Sequence, residues 1–174
     1  MEHFINLFTI KIDGQNVSEA FYAALQEVVV DTSLNLPGMF SIRLYDDELT
    51  WADSTLLDLG KPVEIAAIVD TTDSDSANAS PTILIKGEIT ALEPIFTARG
   101  PKMMVVRGYD KSHRMHRGRQ TRTFLKMKDS DLARKIAGEV GLTPTLDETS
   151  VTYDFILQHN QTNYEFLKSR ADRI

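Results

Sequence analysis

The chain has 174 residues, of which 42% are apolar, 8% aromatic and 25% charged, with no cysteine and a formal net charge of −6. Such a chain is long enough for one domain, or for one domain and part of a second, with a hydrophobic core of its own. The absence of cysteine excludes a disulfide scaffold, thiolate zinc sites and cysteine nucleophiles. No apolar run approaches the ~18 residues that cross a bilayer, and the opening Met1-Glu2-His3-Phe4-Ile5-Asn6 lacks the basic n-region of a secretory signal. The expectation is synthesis in the cytoplasm without a signal peptide and no stable membrane insertion.

The elements follow in chain order. Phe8, Ile10 and Ile12 alternate with Thr9 and Lys11 before Asp13-Gly14, a half-buried strand ending in a hairpin turn. Ser18 to Leu25 carries Phe21, Ala24 and Leu25 at helical spacing, then Glu27 to Val30 is β-branched, so a short helical turn should feed a strand. Leu36-Pro37-Gly38 breaks the chain. Alternation resumes at Phe40, Ile42 and Leu44, at Val63, Ile65, Ala67 and Val69, at Ile83, Ile85, Gly87 and Ile89, and at Met103 to Arg107. Gly87 interrupts its apolar face and predicts a bulge or sharp bend. Residues 70–80 hold no large apolar side chain and read as a solvent-facing hairpin loop. Asp73, Asp75 and Asn78 lack the glycine and terminal glutamate of a calcium loop. Six or so strands with little helix predict a closed or nearly closed β architecture.

After residue 108 the period changes. Asp129-Ser130-Asp131 offers cap oxygens to a helix carrying Leu132, Ile136 and Val140, which Gly141 ends. Tyr153, Phe155 and Leu157 predict a strand, and Thr162-Asn163-Tyr164-Glu165 a capping box opening an amphipathic helix that the chain leaves at Ile174 without a C-cap, as a truncation would. The fold class expected is α+β and β-dominated. A tube-like β-barrel module (1–108, acidic) precedes part of a second β module with two amphipathic helices (109–174).

Charge divides the same way. Residues 1–100 hold 16 Asp/Glu against 5 Lys/Arg, a balance of −11, and residues 101–174 hold 9 against 14, a balance of +5. The basic excess concentrates in Lys111, Arg114, Arg117, Arg119, Arg122, Lys126 and Lys128. With one aromatic, Phe124, among them, the segment lacks the stacking platforms of single-strand binders, and the acidic half repels a polyanion. The segment reads instead as a solvated face or as a basic patch docking on an acidic protein neighbour, and these seven residues are the candidate protein interface.

Candidate chemistry is thin. His113 and His116 have the spacing of two ligands on one turn but no acidic orienter or third ligand nearby. Asp46-Asp47-Glu48 reads as a solvated turn at a strand end, and Trp51 as a packing residue. No nucleophile elbow, P-loop, dinucleotide fingerprint or H-E-x-x-H motif occurs. Catalytic, cofactor and metal residues are expected to be absent, and the chain is not expected to be an enzyme.

The order of parts resembles a known family. Leu36-Pro37-Gly38-Met39-Phe40-Ser41-Ile42-Arg43-Leu44, Leu59-Gly60-Lys61-Pro62-Val63-Glu64-Ile65 and Lys86-Gly87-Glu88-Ile89-Thr90 are followed by Val106-Arg107-Gly108-Tyr109-Asp110. The basic stretch Gly118 to Phe124 comes next, then Gln158-His159-Asn160-Gln161-Thr162-Asn163-Tyr164-Glu165-Phe166-Leu167 with Ala171-Asp172-Arg173 behind it. The ordered set resembles the N-terminal hub portion of the VgrG and phage late-control D proteins, the hubs and spikes of contractile injection systems and phage tails. The resemblance implies a structural hub joining inner tube to spike and transmitting contraction force. It implies a homotrimer with inner tube protein, other baseplate subunits and a spike-tip protein or cargo as partners, in an assembled particle that is cytoplasmic, released or virion-like. The competing classes are a β-barrel binding module for oligosaccharide or nucleic acid and a spike-associated cell-wall hydrolase.

Overall fold

The computed structural model describes residues 8–67 and 81–173, so the expected loop at 70–80 and its Asp73, Asp75 and Asn78 lie outside the described residues. The chain divides after Lys111 into two compact units, 1–111 and 112–174.

In the first unit, β1 (Phe8–Ile12) turns through Asp13 (φ 54°) and Gly14 (φ 77°) into the short β2 (Gln15–Asn16), the two-residue hairpin that an Asp-Gly pair favours. The Ser18 hydroxyl accepts the Phe21 N–H at 3.2 Å and starts α1 (Glu19–Ala24), which runs without a linker into β3 (Leu25–Asp31). After the Pro37-Gly38 break come β4 (Met39–Tyr45), a 3₁₀ turn at Thr55–Leu57, β5 (Pro62–Ala67), β6 (Thr82–Ile95) and β7 (Met103–Asp110). These seven strands form one antiparallel sheet in the order β2-β1-β5-β6-β7-β4-β3.

The sheet curls into a half-barrel, the β-dominated α+β class expected. Register shifts at Leu25/Glu27, Ile65/Ala66 and Ile89/Ala91 mark where an extra residue bends the strands. Ile10, Ile12, Phe40, Ile42, Leu44 and Val106 are fully buried on the inner face, where Phe21 of α1 and Leu57 join them. Gly87 departs from expectation. It pairs in register with Val63, and the bends lie elsewhere. A Cβ there would strike the Tyr109 carbonyl oxygen and lie 3.1 Å from the Phe40 ring, and one at Gly108 would strike that ring and the Glu88 carbonyl. Two glycines on neighbouring strands thus make the slot that Phe40 fills.

A 3₁₀ segment, Lys111–His116, carries the chain into the second unit. β8 (Gln120–Lys128) and β9 (Thr152–Gln161) form an antiparallel ribbon, with α2 (Asp129–Glu139) and α3 (Asn163–Ala171) as its helices. Phe124, Leu132, Ile136, Ile156 and Phe166 make the core, and the Phe124 and Phe166 rings stack at 6.0 Å. The Thr162–Glu165 capping box forms as read, and Gly141 (φ 73°) follows α2 in the left-handed region.

The start of α2 differs from expectation: the N-cap is Lys128, with no side-chain cap. Asp129 instead accepts two hydrogen bonds from Arg170 at 2.6 and 3.0 Å, and the Ser130 hydroxyl donates to Glu148. A nearly buried charge pair outweighs a cap for those oxygens. The acidic first turn still meets the positive end of the helix dipole.

Candidate protein interface

The seven basic residues do not form one uniform patch. Lys111 ends the first unit, beside a cleft rimmed by Lys11, Glu64 and Lys86. There Glu64 accepts from both lysines at 3.0 Å, and Lys86 and Lys11 hold its carboxyl below the usual glutamate range. The other six lie in the second unit.

Four of those six are arginines with internal work. Arg114 donates to the Val140 carbonyl at the end of α2 (3.2 Å), a favourable place for a cation. Arg117 lies 2.6 Å from the His113 ring nitrogen. Arg119 donates to the Asn160 carbonyl at 2.8 Å and pairs with Glu165 at 3.0 Å. Arg122 is the most committed, donating to Gln158 (2.8 Å), Glu139 (2.7 Å) and Asn163 (3.1 Å) while its guanidinium sits 5.0 Å from the Phe124 ring centroid. This single side chain ties β8 to β9, α2 and α3. Of the two lysines, Lys126 is exposed, at φ 49°, and Lys128 is half-buried at the start of α2.

Other singled-out residues resolve into structure. Asp46 is buried rather than solvated, accepting the backbone N–H groups of Trp51 and Ala52 at 2.9 Å each and so fixing the loop after β4. Trp51 packs edge-on against Phe21 at 5.2 Å. His116 stacks on Tyr164 at 4.2 Å, and no group of three or more His, Asp or Glu side chains among the described residues is arranged to hold a metal.

Sequence reading missed an apolar surface beside these cations. Leu125 is 66% exposed, Phe155 58% and Leu157 47%. Leu125 lies directly opposite Phe155 and Thr123 opposite Leu157, on the ribbon face turned away from Phe124 and Ile156. The signal was the unbroken pair Phe124-Leu125, of which a strand can bury only one on a given face.

The family model of the Alg8 N-terminal domain matches residues 2–174. The chain belongs to the Alg8 N-terminal domain family. The chain is similar in fold to a 43 kDa tail protein of prophage MuSo2 from Shewanella oneidensis, at TM-score 0.68 and 13% identity over 95% of this chain and 47% of that one. It is similar also to a tail protein from Neisseria meningitidis MC58, at 0.57 and 13% over 95% and 44%. A third likeness is to the E. coli c3393 protein, at 0.55 and 15% over 91% and 41%. That protein is described as a type VI secretion system component with structural similarity to the T4 tail proteins gp27 and gp5. The chain thus has the fold of these tail and type VI secretion proteins, as the hub resemblance implied, and spans less than half the length of each solved structure. No curated protein matches it.

Proposed function

We propose that the chain is a structural hub segment of a contractile injection system or phage-tail-like baseplate, non-enzymatic, joining inner tube to spike and passing on the force of contraction. The observation that carries this reading is a tail-protein half-barrel joined to a second unit of opposite charge. Residues 1–111 hold 17 Asp/Glu against 8 Lys/Arg (−9), and residues 112–174 hold 8 against 11 (+3). In a homotrimer, unlike units of neighbouring protomers attract where like units repel. Inner tube protein, other baseplate subunits and a spike-tip protein or cargo complete the set of partners, and the working location is the assembled particle. No described helix is long and apolar enough to cross a membrane. The internal commitment of Arg119 and Arg122 counts against nucleic acid, because guanidiniums already bonded to carboxylates and amides are poor phosphate ligands.

Deleting the gene in its host and imaging particles by electron cryo-microscopy tests the proposal. Tubes and sheaths should fail to assemble on a baseplate, and restoring the full-length gene should recover them. Complete particles without this protein would overturn the reading.

A further inference from the structure

Two strands have an unpaired edge and opposite charge. Among the described residues β3 pairs with β4 alone, and β8 with β9 alone. β3 reads Leu-Gln-Glu-Val-Val-Val-Asp, three valines between the exposed carboxylates Glu27 and Asp31 and no base. β8 ends in Leu-Lys-Met-Lys and contains no acid. An open edge presents unsatisfied N–H and C=O groups, a template for a further strand.

The surroundings of β3 suit a guest. Beside it runs a trough of about 590 Å³ walled by Phe8, Tyr22, Val28, Val30, Ile65 and Leu84. The ribbon supplies what such a trough takes, because Leu125, Phe155 and Leu157 stand exposed on its outer face next to Lys126.

We propose that the open β3 edge and its trough receive the β8–β9 ribbon of a second copy of this chain, head to tail. This names the contact within the hub reading and rests on it. Charge sets the polarity. Two β3 edges would bring Glu27 and Asp31 against carboxylates and two β8 edges would bring lysines together, so only unlike edges join. A contact between different patches repeats from copy to copy and closes into a ring when its rotation permits.

The test is sedimentation velocity on the full chain, with circular dichroism to verify folding. The wild type should self-associate, less so as salt rises. Glu27→Lys with Asp31→Lys should weaken association about tenfold or more, as should Lys126→Glu with Lys128→Glu, because each places like charges across the contact. The chain carrying all four substitutions should recover association, a rescue that simple misfolding cannot produce. Leu125→Asn should weaken association without changing its salt dependence. A monomeric wild type, or association indifferent to both charge reversals, would overturn the proposal. The deletion experiment on assembled particles would still decide the hub reading separately.

Discussion

Phe40 shows how single residues constrain this fold. Its ring occupies the slot that Gly87 and Gly108 leave between β6, β7 and β4, so added carbon has nowhere to go. Gly108→Ala should cost about 3 kcal/mol, the upper range for overpacking a filled core, read as a lower denaturant midpoint. Gly138→Ala is the contrasting case. It lies inside α2 with nothing within 4 Å of its added Cβ, so it should stabilise by about 0.5–1 kcal/mol. Arg170 is governed by charge instead of volume. Its pair with Asp129 is nearly buried and it lies 4.4 Å from the Tyr153 ring centroid. Arg170→Leu should cost about 3 kcal/mol by leaving a carboxylate buried without its partner, and Asp129→Asn in the same chain should return part of that.

At the scale of elements, the opening of α3 gives a pH prediction. The Thr162 N–H donates to Glu165 and holds that carboxyl below the usual glutamate range, with Arg119 adding to it. Arg134 and Ser130 do the same for Glu148. A folded-state value below the unfolded one stabilises fully above the ordinary value of 4.5, and that stabilisation disappears as pH falls through the lowered values. Residues 112–174 should therefore lose stability on acidification below about 4.5, and Glu165→Gln should flatten that slope. Thr162→Ala should cost about 1 kcal/mol at neutral pH.

The same element shows what sequence can tell. The capping box is legible because both partners lie within four residues, and β1, β4, β5 and β7 because each buries one face in alternation. β8 is not legible. Leu125 faces outward, and Lys126 in the left-handed region breaks the alternation around it. Nor does sequence show that Arg122 finds Glu139, Gln158 and Asn163, 17 to 41 residues away, so a run of cations reads as a free patch until the fold supplies its acceptors.

At the scale of the molecule, the two units carry unequal cores: among the described residues, fourteen buried apolar side chains form the main cluster of the first and five that of the second. Burial sets local opening free energy, so amides of β8 and β9 should exchange with solvent sooner than those of β4 and β7. Exchange at equal rates in both sets would mean that the units open as one.

The edge-on packing of Trp51 against Phe21 has a practical consequence. Trp51 is the chain's sole tryptophan and belongs to the half-barrel unit. Its fluorescence is therefore a private reporter for residues 1–111, silent on the ribbon and its helices. On heating, emission under selective tryptophan excitation follows one unit, while far-ultraviolet ellipticity sums both, and a gap between the two curves would time the loss of one unit against the other.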